Sequence, residues 1–182
     1  MKHYIKIALV ILAALMSGCI SLKIKTTLPQ ISYYDISSSN EIKTTCTKDQ
    51  KMRLELEIPP YLNTTNILQR TSNGQIHFIE NAKWVDLPSV LFKEELQKKA
   101  LKHCLFLTTT SVASKTMHLH ITDFSFDDTF AVIKLSYALF EHQQLIKSKI
   151  LTIKVAINKN ARITTMGLAV DDAINAILKL TN

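Results

Sequence analysis

Three successive stretches carry an apolar residue at every second position, and this alternation limits the fold more than any other feature of the chain. Met117, Leu119 and Ile121 alternate with Thr116, His118, His120 and Thr122. Ile133, Leu135, Tyr137 and Leu139 share one face of 130–140. Leu151, Ile153, Val155 and Ile157 share one face of 145–157. A period of two describes strands with one face buried and one wet. Asp127-Asp128 and Glu141-His142-Gln143-Gln144 supply the turns, so the three stretches read as an antiparallel meander. A fourth alternation stands earlier, with Met52, Leu54, Leu56 and Ile58 against Arg53, Glu55 and Glu57. Pro59-Pro60 ends it, because proline has no amide hydrogen for a ladder.

The remaining elements follow from shorter signals. Segments 66–70 and 75–80 flank Ser72-Asn73-Gly74, and Asn-Gly favours the positive φ of a hairpin turn. Asp86 reads as an N-cap and Pro88 fits a first helical turn. Phe92, Leu96, Ala100 and Cys104 then recur every four residues, which predicts a helix over 87–104. A closing helix over 165–180 presents Met166, Ala169, Val170, Ala173, Ile177 and Leu180 as one stripe, with Asp171, Asp172, Asn175 and Lys179 opposite. The expected architecture is α+β: a mostly antiparallel sheet with two helices packed on one face, in a single domain. Spare strand edges could recruit a partner strand or a second copy of the chain.

The N-terminus determines where such a domain would work. Lys2, His3 and Lys6 precede ten uncharged apolar residues, 7–16. That run is half the roughly 20 residues a membrane-spanning helix needs, and it suits the h-region of a secretory signal. Met16-Ser17-Gly18-Cys19 resembles a bacterial lipobox, in which the signal is cut before the cysteine and the thiol is acylated. The chain then divides into a signal at 1–18, an acylated cysteine with its tether at 19–32, and a domain at 33–182. Removing the first 18 of 182 residues leaves 164, and the loss of Lys2 and Lys6 lowers the formal charge from +7 to +5. Each buried acyl methylene contributes about 0.8 kcal/mol, so several chains hold a protein on a membrane without any spanning helix. Diacylglyceryl and acyl groups on Cys19 are the only prosthetic groups expected. Ile20 rather than Asp after the anchor favours the periplasmic leaflet of the outer membrane. In that oxidising compartment Cys46 and Cys104 are either bridged or two separate buried thiols.

Several chemistries are disfavoured. Three glycines, at 18, 74 and 167, are too few for a phosphate-binding loop. His103 cannot activate Cys104 from the adjacent helical position, since neighbours point about 100° apart. Ser111, Ser114 and Asp123 suggest no triad, so no catalytic residue is expected. His118 and His120 could share a metal, but two further ligands are not apparent, and the expected reading is a polar strand face. The lysines are scattered, which argues against nucleic acid as a partner.

Three segments in order, "PQISYYDI" (29–36), "LELEIPPYLNTTNILQRTSNGQIHFIENAKW" (54–84) and "VLFKEELQKKALKHC" (90–104), resemble the ABC-type transport auxiliary lipoproteins, the paraquat-inducible-type family. The shared pattern is a strand ending in Pro-x-Tyr-Leu, an Ile-Leu-x-Arg strand, a short strand, and a Trp that starts a helix. Pro59, Tyr61, Leu62, Ile67, Leu68, Arg70 and Trp84 carry it here. The loop departs from the pattern, with Asn63-Thr64-Thr65 where the family often has a charged residue. The resemblance implies an accessory protein of a transporter with mammalian-cell-entry (MCE) domains, moving phospholipids between inner and outer membranes. It implies docking to the MCE-domain protein rather than chemistry, through Tyr33, Tyr34, Tyr61, Leu62 and Arg70. Arg70 has Glu55, Glu57 and Glu80 as candidate ion partners. The alternatives are an assembly lipoprotein of a lipopolysaccharide-export translocon and a direct lipid carrier.

Overall fold

The computed structural model describes residues 29–37, 45–46, 50–110, 113–158 and 161–181; the signal, Cys19 and most of the tether lie outside them. Eight strands form one sheet: β1 (Ser32–Tyr34), β2 (Gln50–Glu57), β3 (Asn66–Arg70), β4 (Ile76–Trp84), β5 (Leu105–Thr108), β6 (Lys115–Phe126), β7 (Phe130–Glu141) and β8 (Gln144–Ala156). Helix α1 (Pro88–Lys102) separates β4 from β5, and α2 (Thr164–Thr181) closes the described chain.

The expectation of a mostly antiparallel sheet is overturned. Hairpins join β3 to β4, β6 to β7 and β7 to β8, as the turn residues predict. The other four pairings, β1 with β4, β2 with β5, β2 with β6 and β3 with β6, are parallel. The sheet is therefore mixed, with parallel neighbours in the majority. The error has a physical source. Parallel strands that are far apart in sequence leave no turn signal between them. A buried parallel strand also usually reads as a continuous apolar run. β2 instead alternates, because only one face of the sheet is covered: Met52 and Leu54 are buried while Glu57 is exposed.

β6 organises the sheet. Its 12 residues pair with β7 along one edge. Its other edge is shared, with β2 beside residues 115–120 and β3 beside Phe126. β2 carries β5 on its outer side, and β3 carries β4 and β1. β5 was not anticipated; its four residues directly after a helix give no period to read.

Both helices bury their apolar stripes in the same core. Phe92, Leu96 and Ala100 of α1, and Met166, Ala169, Val170, Ala173 and Ile177 of α2, meet Met117, Leu119, Ile133 and Leu135 of the sheet. Lys99 of α1 forms an ion pair with Asp171 of α2, and Asn175 Nδ2 donates to Asp171 at 3.2 Å. The chain after β1 lies against both helices. A Cβ at Gly167 would stand 3.2 Å from the Ile36 carbonyl oxygen, so a residue without a side chain permits that approach. Asp35 lies near Lys98; burial works against its carboxylate, but hydrogen bonds from Ser37 and Ile36 and the Lys98 charge hold its pKa below the ordinary value. Further on, Cys46 and Cys104 are joined by a disulfide, with Cα atoms 5.5 Å apart. Cys104 is thus not a continuation of the helical stripe: α1 ends at Lys102, and Cys104 takes φ 56° just beyond the C-cap.

Candidate functional site

The residues singled out for docking separate into two groups. Pro59-Pro60 ends β2, and the chain turns at once, with Leu62 N and Asn63 N both donating to Pro59 O at 2.9 and 3.0 Å. That turn drives Leu62 inward, to 1% exposure, and leaves Tyr61 outside at 54%. Leu62 is therefore a core residue and is withdrawn as a contact residue. Tyr33 is 62% exposed, while Tyr34 packs against the core and its carbonyl accepts from Val85 N at 2.9 Å. Strand alternation sends the two tyrosines to opposite sides. Of the predicted contact residues, Tyr33 and Tyr61 remain as the accessible aromatics.

Arg70 is engaged by the fold. It reaches Asp123 on β6, Nη2 to Oδ1 at 3.7 Å, and none of the three expected glutamates. Asp123 is buried, accepts from Ser125 Oγ at 2.7 Å, and has Lys134 Nζ at 3.9 Å. A buried carboxylate persists only when paired, so this contact anchors β3 to β6. Arg70 also lies at the far end of β3 from Tyr61; four residues at about 3.3 Å each separate it from Asn66. The single charged residue in "ITDFSF" was the one signal of this cluster.

The loop 63–65 joins three elements. Asn63 Oδ1 accepts from Ser89 N at 3.1 Å, in the first turn of α1. It caps the helix from a distance, satisfying an amide that has no intrahelical partner. Asp86 instead bonds the adjacent Leu87 N at 2.6 Å, and Leu87 holds the N-cap position with no side-chain cap. Thr65 O accepts from Trp84 N at 2.7 Å. Trp84 ends β4 rather than starting the helix, and it is buried edge-on to Phe124 with ring centroids 5.9 Å apart. The Pro-x-Tyr-Leu and Trp positions are thus brought together by packing around the start of α1.

Next to this corner is a concavity. A groove of about 490 Å³ runs between α1 and the outer part of β2. Leu54 and Leu56 form its floor, and Val90, Lys93, Glu94 and Gln97 its wall. The wall residues fall at the i, i+3, i+4, i+7 spacing of one helix face. Its volume falls within the range of small-ligand sites, about 300–1,000 Å³. Sequence reading missed it because it forms where two elements 30 residues apart fail to close.

The face of the sheet away from the helices mixes polar residues such as His118, His120 and Ser136 with the apolar Phe140 and Ile150. His118 Nε2 lies 2.9 Å from Glu55 Oε2 and its ring packs on Phe140, with centroids 4.8 Å apart. Among the described residues no three His, Cys, Asp or Glu side chains are placed to hold a metal ion. No helix among them is long and apolar enough to cross a membrane.

No family model matches the sequence, and no curated protein does. Solved structures share the fold. An uncharacterized protein superposes with a TM-score of 0.66 at 15% identity, over 83% of this chain and 96% of its own. Protein XCC0632 of Xanthomonas campestris, from family DUF330, gives 0.66 at 12% identity, over 81% and 92%. The hypothetical protein CT253 of Chlamydia trachomatis gives 0.51 at 13% identity, over 74% and 96%. At these identities the likeness is one of fold alone.

Proposed function

We propose that this chain is a lipid-anchored periplasmic accessory component of an ABC/MCE-type transport system that moves phospholipids between the two membranes. It is held on the periplasmic leaflet of the outer membrane through Cys19 and acts by docking to the MCE-domain protein, not by catalysis. The observation that carries the reading is Met16-Ser17-Gly18-Cys19 placed ahead of a folded domain. The Pro59–Trp84 resemblance and the DUF330-like fold support it. With Leu62 buried and Arg70 paired, the proposed contact surface narrows to Tyr33 and Tyr61.

Three measurements test the reading. Radiolabelled palmitate should enter the wild-type chain and not Cys19→Ser, and the wild type should fractionate with the outer membrane. Crosslinked envelopes should yield the MCE-domain protein with the wild type, and much less of it with Tyr33→Ala/Tyr61→Ala. Absence of label refutes the anchor. Undiminished capture by a folded double variant refutes the tyrosine surface, and absence of any MCE-domain protein refutes the transport role.

A further inference from the structure

The groove beside α1 coincides with a gap in the sheet. β5 pairs with β2 only over residues 50–53, whereas β2 continues to Glu57. On its inner edge β2 is paired with β6 through Glu57. Among the described residues no strand continues the line of β5 beside residues 54–57. In a parallel-bonded strand alternate residues direct both N–H and C=O to the outer edge. Part of the backbone of 54–57 therefore faces outward with no ladder partner among the described residues. The gap is roofed by α1 and floored by Leu54 and Leu56, so any occupant is guided along the strand.

We propose that residues 54–57 are a strand-addition site for an extended segment of a partner protein. A hydrocarbon chain could cover the leucines but would leave the covered backbone groups unpaired. A polypeptide strand satisfies both, placing alternate apolar side chains on Leu54, Leu56 and Val90 and its backbone on the β2 edge. The other face sets the charge of the partner. Glu57 is exposed on the uncovered side of the sheet, and no cation contacts it among the described residues. A Lys or Arg opposite it in the added strand is the favourable cross-strand choice. The partner segment thus has alternating apolar and basic residues. This inference deepens the docking reading and rests on it for the partner's identity.

Hydrogen exchange of the full chain tests it, with a synthetic acetylated peptide of alternating Val and Lys as probe. At about ten times its Kd the peptide should slow exchange of the outward amides in 54–57 about tenfold. The same peptide N-methylated on its bonding amides should give no protection. Val90→Trp, or Gln97→Trp if the first fails to fold, should abolish protection by filling the groove from the helix surface. Glu57→Lys should transfer the preference to a Val–Glu peptide. Lack of protection, equal protection by the methylated peptide, or protection by lysophosphatidylethanolamine in place of the peptide overturns the proposal. Peptide binding without capture of an MCE-domain protein refutes the transport reading alone. Capture without peptide binding refutes the strand-addition site alone.

Discussion

Removing the Cys46–Cys104 disulfide tests how the segment after β1 is held. The bridge joins residues 58 positions apart. In the chain-entropy account, closing a loop of that length removes about 14 cal/mol/K from the unfolded ensemble, which is about 4 kcal/mol at 25 °C. Domains of this size have a total stability of about 5–15 kcal/mol, so the loss is a large fraction. Cys46→Ser, Cys104→Ser and the double variant should each lose the same amount, because one bond is broken in all three. Urea denaturation with and without reductant is the assay. At an m-value of about 2 kcal/mol per molar, the midpoint should fall by about 2 M. Reductant should move the wild type to the midpoint of the double variant and leave the variant unmoved. Two freely alkylated thiols in the native protein, or a double variant as stable as wild type, would refute the reasoning.

Three further outcomes are expected. Tyr137 is buried, its hydroxyl has no hydrogen-bond partner among the described residues, and burial pushes its pKa up to about 12. Tyr137→Phe should stabilise the protein by about 1 kcal/mol in urea denaturation, since an unsatisfied buried hydroxyl costs about that or more; a loss of stability would show that the hydroxyl is satisfied. Asn63→Ala should cost about 1 kcal/mol through loss of the remote cap on α1, read by the same denaturation, and an unchanged midpoint would remove that role. Asp35 has a lowered folded pKa, so its contribution is complete above the ordinary carboxyl value of 3.8 and fades as pH falls through the lower folded value. Asp35→Asn should therefore cost stability at pH 7 and little at pH 2, and equal losses at both would contradict the assigned shift.

Strand patterns and turns were legible wherever the structural cause is local. The hairpin at Gly74, with φ 84°, follows from Asn73-Gly74. The β7–β8 turn puts His142 and Gln143 at φ 48° and 68°, within a polar stretch already read as a turn. The helical stripes are legible because burial on one side repeats every turn. The candidate docking residues were harder to read, since Tyr61 and Leu62 are neighbours of similar apolar character and only the Pro59 turn decides which one faces water. Arg70 has several acidic residues in reach by sequence, and only the β3–β6 pairing brings it to Asp123.

Local chemistry, written along the chain, determined the strands other than β5, the helices, the hairpins and the cysteine at residue 19, because periodicity, proline and glycine act within a few residues. The parallel joining of β2 to β5 and β6, the partner of Arg70 and the gap beside residues 54–57 were decided only in the tertiary structure. Each depends on which strand edges meet after long connections. That outcome is set by packing both helices over one shared core, and it leaves no trace in the spacing of neighbouring residues.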